Sequence, residues 1–327
     1  MEKRKLGDSD LLLSVVGLGC WQLDTNHWGT TESECIATVH AALEAGINLF
    51  DTAEGYGNGT SENILGKALV GRRDHAVIAT KISANHLAPD QVRPTCLASL
   101  KRLRTDYLDL YQIHWPTRQV PMDQTMDELL KLQDQGKIRY IGVSNFNCPQ
   151  MDLVRSHGPI ISLQPPYSLF WRDIEPHILP YCRRHNIGVL CYSPLAQGLL
   201  TGRYSPDHRP APDQQRNVLF SMPDAYDRCT RAVQQMRPLA QRADMTLTQM
   251  AIQWVLGTEG VTAALVGARR PDQVAANVAA ASLPLPTDAR HELDHISRLA
   301  LRGLKLPLSM WDWYPDKQLD EQENQSN

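Results

Sequence analysis

The sequence predicts one α/β barrel of eight parallel strands, and three observations carry that prediction. Short apolar runs rich in β-branched residues recur eight times, at residues 15–19, 47–51, 76–81, 108–114, 138–144, 160–164, 188–193 and 263–267. Amphipathic segments separate them, and strands alternating with helices make a parallel sheet that closes when eight such units are present. The chain of 327 residues is longer than one ordinary domain but suits such a barrel. The third observation excludes the doubly wound alternative, which needs G-x-G-x-x-G after its first strand. Here Gly17-Leu18-Gly19 is followed by Cys20-Trp21-Gln22, and Gly55-Tyr56-Gly57-Asn58-Gly59 lacks a third glycine in register. A P-loop fails as well, because Ala68 follows Gly66-Lys67 and Ser61 stands where its first glycine belongs.

Residues 3–6 and 11–13, on either side of the Gly7-Asp8-Ser9-Asp10 turn, predict a hairpin that plugs the barrel floor. The 3.6-residue apolar period predicts helices over 32–45, behind a Thr31/Glu34 capping box, and over 62–70, 89–103, 125–135, 149–156 and 174–185. A last long stretch over 226–256 breaks near Met245, and extra helices or loop follow the final strand. A Pro-rich stretch over 203–223 occupies the last gap between strands. Polar composition from Pro315 onward predicts a disordered tail, 315–327, leaving 1–314 as a single domain.

Hydrophobic residues at 42% and charged residues at 21% exclude a disordered or fibrous chain. The 33 basic and 36 acidic residues nearly cancel, so no basic footprint for nucleic acid or for an anionic membrane exists. A small molecule is the expected partner. Seven scattered cysteines without C-x-x-C indicate neither a disulfide framework nor a metal site, which favours a reducing, cytoplasmic setting. Lys3-Arg4-Lys5 before an apolar run imitates a signal peptide, but Asp8, Asp10, Ser14 and Gly17 interrupt it. No run reaches the roughly 18 apolar residues that span a bilayer.

Functional groups of such a barrel collect at the carboxyl ends of its strands. Asp51 ends the second run, Tyr56 stands in the loop after it, Lys81 ends the third run and His114 the fourth. Singly, a strand-end lysine snorkels, an aspartate caps a turn and a histidine packs. Together, on adjacent strands, they form a proton-transfer set. A tyrosine of pKa ~10 is a poor acid near neutrality unless a cation favours its phenolate. Lys81 is expected to be that cation and to lower the Tyr56 pKa, while Asp51 keeps Lys81 charged. His114 is then placed to orient a substrate carbonyl beside the Tyr56 hydroxyl. At the far end, Gly267-Ala268-Arg269-Arg270-Pro271-Asp272-Gln273 reads as strand, turn and helix start, whose free N–H groups suit an anion.

Asp51-Thr52-Ala53-Glu54-Gly55-Tyr56-Gly57, Ala79-Thr80-Lys81 and Ile113-His114-Trp115-Pro116 resemble motifs of the aldo-keto reductases. So do the run from Gly136 to Phe146 and Tyr192-Ser193-Pro194-Leu195. The resemblance runs in order from about Leu6 to Asn277 and is strongest to the bacterial and plant-type branch that includes the potassium-channel beta subunits.

That resemblance implies NADPH-dependent reduction of aldehydes and ketones, with Tyr56 as proton donor assisted by Lys81 and Asp51 and with His114 positioning the carbonyl. It implies that Ser144, Asn145 and Gln164 hold the nicotinamide carboxamide and that Tyr192 stacks on the ring. Ser193, Pro194, Leu195, Gln197, Gly198 and Leu200 would follow the pyrophosphate, and Gly19, Cys20, Trp21 and Asp51 complete the nicotinamide end. Gly267, Arg269, Gln273 and Asn277 would hold the adenosine end, with Arg269 on the 2′-phosphate. A Lys-Ser pair common in the family is replaced here by Gly267-Ala268, and Ala276 stands where a glutamate often precedes the asparagine. Helix capping is a second reading for Ser144 and Asn145. Trp21, Tyr56, His114, Trp115 and Trp311 are the expected substrate pocket, while Trp313 and Tyr314 fit packing equally well. Two other readings share these residues: NADP-dependent oxidation of a sugar or alcohol, and a slow cofactor-bound protein that docks on a partner. A monomer is expected.

Overall fold

The computed structural model describes residues 1–210, 218–222, 224–307, 309–311, 313–317 and 320. The antiparallel hairpin β1 (Lys3–Lys5) and β2 (Leu12–Ser14) precedes eight parallel strands: β3 (Val16–Gly19), β4 (Leu49–Asp51), β5 (Val77–Ile82), β6 (Leu108–Ile113), β7 (Ile138–Ser144), β8 (Ser162–Gln164), β9 (Gly188–Tyr192) and β10 (Val261–Gly267). They close into a barrel, with β10 pairing on β3. Around it lie α1 (Thr25–Trp28), α2 (Glu32–Glu44), α3 (Thr60–Ala68), α4 (Pro89–Leu103), α5 (Met122–Asp134), α6 (Cys148–Arg155), α7 (Ile178–Arg184), α8 (Val218–Ser221), α9 (Ala225–Arg242), α10 (Leu247–Leu256), α11 (Pro271–Ala281) and α12 (Thr287–Leu301).

Strands buried on both faces need apolar residues at nearly every position. Outward side chains such as Phe50, Ile78 and Ile113 join the helices in one core, while Leu49, Leu110 and Leu190 point inward and meet Leu6, Leu11 and Leu13 of the hairpin. Each leucine buried in that plug contributes about 1.5–3 kcal/mol. The chain turns over the floor at Gly7, whose φ is +49° and whose absent Cβ would stand 2.3 Å from the Ile161 carbonyl. Only glycine fits there.

Local signals set the helix ends. Glu34 N–H donates to Thr31 Oγ1, and Thr31 N–H donates to the Glu34 carboxylate, completing the capping box of α2. The long stretch breaks as expected: Asp244 adopts φ +50° and a Thr246/Gln249 capping box starts α10. The helix expected from 174 begins only at Ile178. Pro176 disfavours helical backbone at Glu175, whose carboxylate instead accepts from Arg172 Nε at 2.7 Å and Tyr167 OH at 2.9 Å. The short helix α1 has no counterpart in the sequence reading; Asp24 caps it by accepting from His27 N–H.

Beyond Pro315 the described residues are anchored, contrary to the expectation of disorder. Asp316 is buried and accepts from Thr117 Oγ1 and from the Arg118 N–H, while Asp320 accepts from Arg118 and from Tyr314 OH. Polar composition signalled disorder there, but two carboxylates find donors on the loop after β6. Residues 211–217 and 223 of the Pro-rich stretch, and 318, 319 and 321–327 of the tail, lie outside the described residues. All seven cysteines are free thiols. Among the described residues no helix is long and apolar enough to cross a membrane, and no cluster of metal ligands is found.

Candidate active site

A cavity of about 1500 Å³ opens at the carboxyl ends of the strands. Lys81, near the end of β5, is fully buried behind Asp51 and Tyr56, which line the cavity. Its Nζ donates to Asp51 Oδ1 at 2.6 Å, to the Thr52 carbonyl at 2.9 Å and to Tyr56 OH at 3.3 Å. Burial alone would strip the Lys81 charge, but the Asp51 carboxylate and the Tyr56 oxygen raise its pKa above the ordinary lysine value. At Tyr56 the balance differs from the sequence expectation. Burial raises the phenol pKa more than Lys81 lowers it, so the group is held protonated and not shifted toward neutrality. The His114 ring lies edge-on to Tyr56, with centroids 5.9 Å apart. Burial, and then the Lys81 charge, hold its imidazole well below the usual histidine range, so it works as a neutral hydrogen-bonding group.

The loop carrying Tyr56 is braced from behind. Ser61 Oγ donates to the Cys20 carbonyl at 2.7 Å, and Glu62, buried without exposure, accepts from Thr80 Oγ1 and Arg102 Nε at 2.6 Å each.

Asp51 Oδ2 is occupied by two amides. Gln164 Nε2 donates to it at 2.6 Å and Gln112 Nε2 at 3.3 Å, and Gln164 Nε2 also donates to Gln112 Oε1 at 3.3 Å. Sequence reasoning missed Gln112. The signal was present, since it is polar within an apolar strand and two residues before His114, hence in phase with it.

Ser144 Oγ donates to the Gln164 carbonyl at 2.8 Å. Asn145, in the left-handed region at φ +66°, donates through Nδ2 to the His114 carbonyl and Ser144 Oγ and accepts from Tyr192 OH at 2.8 Å. Neither caps α6. Asn147 does so through a capping box with Gln150. Tyr192 ends β9, and beyond it Ser193, Pro194, Leu195, Gln197 and Gly198 line the cavity. Leu200 does not: it is buried in the hydrophobic core, because its apolar side chain turns under the loop. Ala196, Gln197 and Gly198 form a left-handed run, and Gln197 Oε1 is buried with no hydrogen-bond partner among the described residues.

The same cavity continues to Gly267, Arg269, Gln273 and Asn277. Arg269 N–H donates to Gln273 Oε1 at 2.8 Å, which folds the turn onto α11, and the Arg269 guanidinium lies 5.9 Å from the Trp28 ring. A Cβ at Gly267 would meet Gln22 Oε1 at 2.3 Å, so the Gln22 side chain occupies the space that a larger residue at 267 would need. One continuous groove thus joins the Tyr56 corner to a helix N-terminus flanked by arginine. Its volume, the orphaned Gln197 acceptor and the cationic end fit a dinucleotide.

Aromatic side chains surround the mouth. Trp21 meets Trp311 edge-on at 5.3 Å, stacks on His27 at 5.4 Å and lies 6.4 Å from Tyr56. Trp115 meets Trp313 edge-on at 5.9 Å. Gly19, Cys20, Trp21, Trp115, Trp311 and Trp313 all line the cavity; Tyr314 does not. Gln22, His27, Trp28 and Arg203 also line it and were not singled out from sequence. Of these, His27 and Trp28 follow Trp21 closely enough for the aromatic density of that loop to have marked them.

Comparison with known proteins places this geometry in a family. The sequence profile described as the Aldo/keto reductase family matches residues 15–298. The chain is 40% identical over 290 residues to the aldo-keto reductase YhdN of Bacillus subtilis (strain 168), covering 84% of this chain and 87% of that one. It is 35% identical over 310 residues to the NADH-specific methylglyoxal reductase of Escherichia coli (strain K12), covering 87% and 95%. The solved structure of the glycerol dehydrogenase AKR11B4 from Gluconobacter oxydans superposes with a TM-score of 0.85 at 36% identity, covering 94% of this chain and 98% of that one. Eight parallel strands with a floor hairpin, and this match along nearly the whole chain, show that the protein belongs to the aldo/keto reductase family of nicotinamide-dependent oxidoreductases.

Proposed function

We propose that the protein is an NADPH-dependent carbonyl reductase in which Tyr56 delivers the proton. The observation that carries this reading is the Lys81 ammonium, which touches both Asp51 and Tyr56 in the wall of a groove that also reaches Arg269. Bound NADPH supplies a hydride from C4 of its nicotinamide to the carbonyl carbon. Negative charge then develops on the carbonyl oxygen, and the Tyr56 O–H donates its proton there. Lys81 stabilises the phenolate left behind, which is the moment when its charge matters most. Neutral His114 donates a hydrogen bond to the same oxygen and fixes its position. The raised phenol pKa supports this direction, because a proton donor must carry its proton at working pH.

Arg269 supports NADPH over NADH, since only the former presents a 2′-phosphate to a guanidinium. The NADH-specific Escherichia coli relative makes the two cofactors a necessary comparison. The aromatic mouth supports small or ring-bearing aldehydes and ketones as substrates. Free thiols throughout support a reducing, cytoplasmic setting. Steady-state oxidation of NADPH at 340 nm, with methylglyoxal, aromatic aldehydes and aldoses and with NADH in parallel, tests the reading. Steady turnover with NADPH preferred supports it; tight binding without turnover contradicts it.

A further inference from the structure

Gln112 does not line the cavity, yet it contacts two residues that do, Asp51 and Gln164. It is fully buried on β6, in register with Lys81 of β5 on one side and Gly142 of β7 on the other. Glycine at 142 is what lets it lie across the barrel. A Cβ there would stand 3.2 Å from Gln112 Cγ and 2.3 Å from Ser162 Oγ.

The three side chains Asp51, Gln112 and Gln164 form a closed ring of hydrogen bonds. Its polarity is dictated by charge. A carboxylate accepts only, so both amides must present N–H to Asp51. Gln112 then turns its carbonyl oxygen toward Gln164 and accepts the second N–H of that amide. With both hydrogens of Nε2 taken, Gln164 faces the cavity with its carbonyl oxygen, which has no partner among the described residues.

We propose that Gln112 is a positioning residue that holds the plane of the Gln164 amide, whose N–H end Asp51 already sets, so that Gln164 Oε1 accepts an N–H of the nicotinamide carboxamide while Asp51 stays aligned on Lys81. The proposal rests on the cofactor reading above. It explains why a polar side chain is buried among apolar strands, where an unpaired amide would be costly. Gln112 thereby couples the residue that recognises the carboxamide to the residue that charges the proton donor.

The test compares binding of NADP+ with that of its 3-acetylpyridine analogue, which keeps the carbonyl but lacks the NH2. Tryptophan fluorescence quenching reads both affinities without turnover. The wild type is expected to favour NADP+ by about fivefold, the value of one neutral hydrogen bond. Gln112→Leu removes the second acceptor and leaves the Gln164 amide held by Asp51 alone, free to tilt, and the ratio is expected to fall below about twofold. Gln112→Glu serves as the second variant. Buried beside Asp51, its carboxyl stays protonated near neutrality, donates O–H to Asp51 and accepts from Gln164, so it keeps the preference. A side chain that only filled space would give the opposite order, with leucine tolerated and glutamate not. That order, or a wild type with no preference between the two cofactors, overturns the proposal. Because no proton transfer is read, failure of Tyr56 as donor would leave this result standing.

Discussion

Asp316 Oδ1 accepts a hydrogen bond from Thr117 Oγ1 at 2.7 Å, and its second oxygen accepts one from the Arg118 N–H at 2.8 Å. The contact ties the C-terminal strap, which carries Trp311 and Trp313, to the loop that carries Trp115. Asp316→Ala leaves those donors unmatched and frees the strap. For a ring-bearing aldehyde, kcat/KM is expected to fall about tenfold, mainly through KM, since one anchored contact is worth ~1–3 kcal/mol. Methylglyoxal, too small to need the tryptophans, is expected to lose less than about threefold. Equal losses for both would remove the strap from substrate selection.

Two shifted groups of the catalytic corner, Tyr56 and His114, set the expected pH behaviour. In the proposed mechanism reduction needs the Tyr56 proton, and a raised phenol pKa keeps that proton through neutrality, so reductive kcat is expected to fall only on the alkaline side. Alcohol oxidation needs the phenolate and rises as pH rises through the same value. His114, held neutral, gives no limb between pH ~6 and ~7. A histidine limb in that window would contradict the neutral assignment.

Lys81 lowers the phenol pKa, so Lys81→Met is expected to move the oxidative limb to higher pH and to reduce reductive kcat by about 10²-fold. It also strands the buried Asp51 carboxylate, at a cost of about 3–5 kcal/mol in stability. Chemical denaturation measured beside the pH profile separates the two effects. An unchanged limb would show that Lys81 does not act on the phenol.

Arg269→Ala removes the guanidinium at the cationic end of the groove. NADPH affinity is expected to fall about tenfold or more, the value of a charge-assisted contact to a phosphate, whereas NADH is expected to change less than about twofold. Fluorescence titration with each cofactor checks this. Equal losses would remove the guanidinium from 2′-phosphate recognition, since the backbone N–H that donates to Gln273 is kept in the variant.

The barrel was legible because buried strands and amphipathic helices impose different periods, and the capping boxes at Thr31 and Thr246 mark helix starts by local chemistry alone. The convergence of Asp51, Tyr56, Lys81 and His114 was legible because strand ends of a barrel meet at one face. What sequence did not reveal depends on balance or on distant partners. The sign of the Tyr56 shift is a contest between burial and Lys81, which spacing cannot decide. Gln112 matters only through two residues on other strands, and Leu200 turns into the core although its neighbours face the groove. Asp316 looked like part of a solvated tail until Thr117, distant in sequence, supplied its donor.

The central claim is that Tyr56 gives its proton to the carbonyl oxygen. It is tested most directly by comparing Tyr56→Phe with the wild type in NADPH oxidation at 340 nm with a reactive aldehyde, alongside NADPH affinity by fluorescence. The account predicts kcat lower by about 10²–10⁴-fold with affinity within about twofold of wild type, because the hydroxyl acts on the substrate oxygen and not on the cofactor. Turnover near wild type in Tyr56→Phe would contradict it.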